Sequence, residues 1–146
     1  AIYEMQIDNA MALNEKLPPI KGIYYFSYAC DATILADDGT RSLDPELGGG
    51  MYKVSGARLC TYEGVTPSGY VIDEKWQAND GLVNTYSALV PIGAPSVDYN
   101  ADSVTTGIWN VMPVMRGNHS TLQGGMTKAL NGRIFFVDLL SMINSL

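Results

Sequence analysis

Ile23-Tyr24-Tyr25-Phe26-Ser27-Tyr28-Ala29 is a run of aromatic and β-branched residues closed off by Gly22 on one side and Cys30-Asp31 on the other. A short, nearly unbroken apolar run between turn residues is what a strand covered on both faces of a parallel sheet requires. Ahead of it, Ile2, Met5, Ala10, Leu13 and Leu17 approximate one helical stripe, and Pro18-Pro19 stops it. A helix feeding a buried strand predicts an α/β sheet. Gly107-Ile108-Trp109-Asn110-Val111-Met112 reads as another strand. Met126 to Leu146 carries Ile134, Val137, Leu139, Leu140 and Ile143 at helical spacing, so a C-terminal helix packing on the sheet is expected, its early turns weakened by Gly132. Between these, Asp37 to Gly69 is rich in Gly, Asp and Pro and has little periodicity. It is expected to be a long surface excursion with one short strand near Ala57 to Thr61.

Composition limits what such a chain can do. At 146 residues and 47% apolar content it can build one core, so residues 1–146 are one domain or part of one. A net charge of −6 with no local Lys/Arg cluster argues against a nucleic-acid or anionic-membrane partner. The longest uncharged stretch, Gly81 to Val97, is broken by Pro91, Pro95 and two glycines, so no membrane span is expected. No signal peptide is visible. Cys30 and Cys60 are too few for a disulfide framework, and with a single histidine they cannot complete a zinc site. Free buried thiols are expected, with a Cys30–Cys60 disulfide as the alternative that spacing alone does not decide.

Two residues stand out chemically. Asp80 lies in Trp76-x-x-Asn79-Asp80-Gly81-x-Val83-Asn84-Thr85, and the only histidine, His119, follows 39 residues later. Taken alone, Asn79-Asp80-Gly81 also reads as a tight turn, and Gly117-Asn118-His119-Ser120 as an exposed loop. An acid followed by a base is the chain order of the second and third members of an α/β-hydrolase triad. The first member would be a serine in Gly-x-Ser-x-Gly, and none of the ten serines has that setting. Asp73, Asp98 and Asp102 have no comparable context. Asp37-Asp38-Gly39 lacks the further ligands of a calcium loop and reads as a solvated turn. Asn118-His119-Ser120 fits a glycosylation acceptor, but a glycan there would obstruct the base. Trp76 and Trp109 read as packing residues.

Tyr24-Tyr25-Phe26-Ser27, Pro45-Glu46-Leu47-Gly48, the Trp76 to Ser87 block and Gly107-x-Trp109-Asn110 occur together in an order and spacing that resemble the bacterial triacylglycerol lipases of the bacillus and staphylococcus type. The resemblance spans nearly the whole chain, and its most specific part is Asp80-Gly81-x-Val83-Asn84-Thr85. It implies the C-terminal part of a single α/β-hydrolase domain, a mostly parallel sheet flanked by helices that is incomplete without the upstream half. It further implies a secreted enzyme cleaving carboxylic esters such as acylglycerols, with Asp80 as triad acid, His119 as triad base, and the serine, oxyanion hole and lid upstream of Ala1. Phospholipase or general esterase activity belongs to the same class. A different class is a non-catalytic subunit or degenerate hydrolase that binds a partner.

The departures are specific. Asn118 stands where these lipases have Asp before the histidine. The family's calcium site uses a glycine carbonyl matching Gly48, a carboxylate two residues after the histidine and an Asp-Pro pair beyond. Here Thr121 and Met126-Thr127 occupy the last positions, so calcium is not expected there. The family's zinc ligands lie mostly upstream. No cofactor is therefore assigned to this chain.

Overall fold

A computed structural model describes residues 3–124 and 131–146. Helix α1 (Ile7–Lys16) ends before Pro18-Pro19, as the sequence predicts, although its start is later than the apolar stripe suggests and Ile2 lies outside the described residues. The quoted run then delivers β1 (Tyr25–Ser27), continued after Tyr28-Ala29 by β2 (Cys30–Asp31). A hairpin follows, β3 (Thr33–Leu35) against β4 (Arg41–Leu43), closed by Asp38, whose carboxylate accepts both the N–H and the hydroxyl of Thr40. Asp37-Asp38-Gly39 is thus an exposed hairpin turn, with Gly39 at φ +83°.

The predicted strand at Ala57 to Thr61 is a helix instead. Helix α2 (Lys53–Leu59) turns inward at Tyr52, Ser55, Gly56, Leu59 and Cys60, a helical spacing. Ser, Gly and Cys carry much of that face, so no apolar stripe marked it in the sequence. Nor is the excursion confined to the surface: Asp44, Leu47, Gly48, Gly56 and Cys60 are buried. A second hairpin, β5 (Gly64–Val65) with β6 (Val71–Ile72), leads to Trp76 and then to the short helix α3 (Thr85–Leu89).

The sheet closes with β7 (Ser96–Asp98), β8 (Trp109–Val111) and β9 (Met115–Arg116). Its order is β1-β8-β7 with both pairings parallel, Phe26 lying opposite Asn110 and Val97 on the other side. β2 pairs β9 in the same sense, Cys30 opposite Met115. Met112 N–H to Ser27 C=O, Met115 N–H to Ala29 C=O and Gly117 N–H to Asp31 C=O join the two parallel segments into one ladder. Asn110, fully buried, uses its amide to hold Tyr25 C=O and Thr105 C=O.

Ala29, Cys30, Ala32, Leu47, Cys60, Ile72 and Trp76 are the buried apolar residues that form the small core among the described residues. Trp76 packs edge-on to Tyr70 and Tyr86, as a packing residue does. Helix α4 (Gly132–Asn144) packs Phe135 edge-on against Tyr28, with Leu139 and Met142 on the same inward stripe. Gly132 is its first residue, behind an Asn131 side chain that caps Arg133 and Ile134 N–H, so the weak helix former sits where it does little harm. The predicted helical positions before Asn131 lie outside the described residues. No helix among the described residues is long and apolar enough to cross a membrane.

Candidate active site

The site begins with a turn that the sequence makes compulsory. Ala32 N–H donates to Asn79 C=O at 2.8 Å, tying the turn to the residue that follows β2. Asn79 is fully buried; its amide donates to Gln77 C=O and Gly56 C=O and lies 3.5 Å from Cys60 Sγ, while its Oδ1 accepts Gly81 N–H. Gly81 has φ +100°, and a Cβ there would come within 2.6 Å of Tyr52 Cβ, so both conformation and space demand glycine.

Asp80 divides its carboxylate between two tasks. Oδ1 accepts Leu82 N–H at 2.9 Å and Val83 N–H at 2.8 Å, and Oδ2 lies 2.8 Å from His119 Nδ1. His119 N–H donates to Asp80 C=O, also at 2.8 Å, so backbone and side chain fix the pair together. The tight-turn and acid readings of Asp80 are therefore compatible, because one oxygen closes the turn and the other faces the histidine. Because the Asp80 carboxylate can only accept, Nδ1 carries a proton in this contact, and in the neutral ring Nε2 is then left as the acceptor. The His119 side chain is 37% exposed against 13% for Asp80, so the imidazole is reachable from solvent while the carboxylate is screened.

The histidine loop is held from below. Asn118 is buried, its Nδ2 donating to Leu47 C=O at 2.9 Å and its Oδ1 accepting Ser120 N–H. Thr121 Oγ1 accepts Asn118 N–H and donates to Asn118 Oδ1, and a Cβ on Gly117 would meet Thr121 at 2.7 Å. An amide is needed here, since a carboxylate could not donate to Leu47 C=O. The same use of Nδ2 leaves it no access for a glycan. Nearby, the Arg116 guanidinium pairs with buried Asp44.

The calcium site that the resemblance implies would use the Gly48 carbonyl and a carboxylate two residues after His119. Leu47 C=O, one residue before that glycine, receives the amide of Asn118, and the position two residues after His119 holds a neutral hydroxyl engaged in the loop. Calcium prefers six to eight hard oxygens, several of them anionic. Met126-Thr127 lie outside the described residues. Among the described residues no cluster of three or more His, Cys, Asp or Glu could hold a metal ion.

Cys30 and Cys60 are free and buried. Burial, reinforced by the carboxylates of Asp80 and Asp31, pushes the Cys30 thiol up to about 11, and burial also raises Cys60. Neither is a thiolate near neutrality, which argues against a cysteine nucleophile beside His119. Of the acids weighed from the sequence, it is Asp80, and not Asp73, Asp98 or Asp102, that pairs with the imidazole. Sequence reasoning overlooked Tyr52 and Ser55, which line this corner, and read Thr121 only as a missing carboxylate rather than as the hydroxyl that holds Asn118. The first two had no apolar periodicity around them to mark a helix, and their partners are distant in sequence.

No family model matches the chain. Among solved structures it is similar to EstA from Clostridium botulinum, with 26% identity and a TM-score of 0.87, over 100% of this chain and 34% of that one. The Staphylococcus hyicus lipase matches with 24% identity and a TM-score of 0.77, over 99% and 36% of the two chains. Lipase 1 from Pelosinus fermentans matches with 27% identity and a TM-score of 0.73, over 90% and 35%. The chain thus spans about a third of the length of these proteins. Parallel strands, the flanking helices and the overlap with these structures together place its structural neighbours among the bacterial lipases, as the sequence resemblance implied.

Proposed function

We propose that this chain is the acid- and base-bearing part of an α/β-hydrolase that cleaves carboxylic esters, acylglycerols in particular, and that residues outside it supply the nucleophilic serine and oxyanion hole. The observation that carries the reading is the 2.8 Å contact between Asp80 Oδ2 and His119 Nδ1, formed beyond the carboxyl ends of parallel strands where open α/β sheets bind ligands. His119 Nε2 would take the serine proton during attack on the ester carbonyl and return it to the departing alcohol. Asp80 would hold the ring in the required tautomer and stabilise the imidazolium.

The upstream half of the same polypeptide is the partner this reading requires. A secreted setting accords with the resemblance, and the reading assigns no calcium to Gly48 and Thr121.

The test compares the chain alone with the polypeptide completed by its upstream portion. The isolated chain should neither hydrolyse p-nitrophenyl or triacylglycerol esters nor take up a fluorophosphonate. The completed polypeptide should do both, with the adduct outside residues 1–146. A stoichiometric adduct on any of the ten serines of this chain would refute the assignment. A completed polypeptide inert to all esters would favour a non-catalytic, partner-binding role.

A further inference from the structure

We infer that Tyr52 is a positioning residue for the imidazole of His119, a clamp that couples the acid turn to the base loop. The inference rests on the acid–base reading above and adds a residue to it. Three contacts converge on this one side chain. Its Cβ packs so closely on Gly81, the residue after the acid, that no larger residue fits there. Its ring meets the His119 ring edge-to-face, with centroids 6.4 Å apart and planes at 63°. Its hydroxyl shares a 2.5 Å hydrogen bond with Ser120 Oγ, on the residue after the base.

Asp80 constrains the imidazole at Nδ1 only. One hydrogen bond to one ring atom leaves the ring free to tilt about that contact, which would carry Nε2 away from a nucleophile. A wall against the ring removes that freedom, and aromatic pairs at this separation favour the tilted arrangement seen here.

The wall is itself anchored. Tyr52 ends the helical turn Gly50–Tyr52 and leads directly into α2. One turn on, Ser55 Oγ donates to Gly81 C=O at 2.6 Å, and Gly56 packs against Gly81 Cα. The start of α2 is therefore fastened to the acid turn at successive inward positions, and Tyr52 is the one that reaches the base.

The experiment uses the complete polypeptide, with Tyr52→Leu, Tyr52→Phe, Ser120→Ala and a His119→Ala control. Steady-state kinetics on a p-nitrophenyl ester, a thermal melt and proton NMR of the histidine ring are read for each. Only the resonances lost in His119→Ala are followed, so other histidines do not interfere. Tyr52→Leu should lower kcat about 10- to 100-fold with KM within about twofold, since a displacement near 1 Å costs that much. It should also shift and broaden the Nδ1–H resonance of His119. Tyr52→Phe keeps the wall and should recover most of that kcat, matching Ser120→Ala.

An unchanged Nδ1–H resonance and kcat in Tyr52→Leu would overturn the clamp. So would a loss of rate that merely tracks the fraction unfolded, or a Phe variant as impaired as Leu. Full activity in His119→Ala would sink the acid–base reading instead, and the NMR comparison would still decide whether Tyr52 orients the ring.

Discussion

Around Asp80 and His119 the largest fully buried side chains are polar, whereas in α4 large apolar side chains are exposed. Asn79, Thr121 and Asp44 are at most 2% exposed, and Asn79 and Thr121 make several hydrogen bonds each. In α4, Ile134, Phe136, Val137, Leu140 and Ile143 are all between 47% and 59% exposed. Both arrangements run against the usual partition of residues. A buried polar group without a partner costs about 1–3 kcal/mol, so the corner is worth building only if its geometry is exact in function. Apolar side chains facing water at this density mark a surface meant for contact. The acid–base corner is satisfied by this chain's own residues, and the outer face of α4 is not. That contrast supports the proposal that the chemistry's second half, and the cover for α4, come from the rest of a longer hydrolase.

The largest expected effect breaks the corner at its chemical centre. In the completed enzyme His119→Ala should abolish ester hydrolysis, and Asp80→Asn should lower kcat by up to about four orders of magnitude. Asp80→Asn keeps an oxygen for Leu82 and Val83 N–H, so its fold should persist. Equal melting temperatures with the predicted loss of rate locate the defect in the chemistry. A rate within tenfold of wild type for either variant would show that the pair has another purpose.

A smaller effect sharpens the contrast in stability. A Cβ on Gly56 would meet Leu43 at 2.7 Å, Gly81 Cα at 3.0 Å and Asn79 Oδ1 at 3.1 Å, two of them parts of the acid turn that cannot give easily. Gly56→Ala should therefore destabilise by about 1–3 kcal/mol in urea unfolding, in the isolated chain and in the complete protein alike. Leu140→Gln should change the isolated chain by less than about 0.5 kcal/mol, as an exposed site does, but should destabilise the complete protein. Equal effects in both settings would mean that nothing covers α4.

The same contrast governs what could be read from sequence. The parallel strands at Tyr25–Ser27 and Trp109–Val111 were legible from their dense aromatic and apolar runs, but not for the reason of burial on both faces: their apolar side chains are only half-buried, and the fully buried positions are the polar Ser27 and Asn110. So was the Asp80 turn, whose Asn-Asp-Gly chemistry is local. Helix α2 was not, because its inward face is chosen for closeness to Gly81 rather than for hydrophobicity, and Gly56 and Ser55 carry no periodic signal. The length of the Asp37 to Gly69 excursion was legible, but not its return to the core at Asp44 and Leu47, which depends on ligation by Asn118 and Arg116 from far along the chain.

The smallest expected effect concerns calcium, and it asks whether the corner is held by its own hydrogen bonds. A cation bound only by the folded state would stabilise it by about 2.7 kcal/mol at a hundred times its dissociation constant, several degrees for a domain of this size. Beside Gly48, however, Asn118 Nδ2 donates to the carbonyl oxygen of the preceding Leu47, which places an N–H donor next to the implied ligand, and the Thr121 hydroxyl is spent within the loop. A donor N–H and a neutral hydroxyl do not replace anionic oxygens around a divalent ion. Millimolar calcium should therefore leave the melting temperature where a chelator leaves it. Asn118→Asp makes the test sharper: it removes the donor to Leu47 and should cost about 1–3 kcal/mol. If calcium then restored that loss, the place could accept a cation once a carboxylate is present, and the amide would be what excludes it. A calcium-dependent rise in the unaltered protein, abolished by rebuilding Gly48, would overturn the account of a corner closed by direct hydrogen bonds.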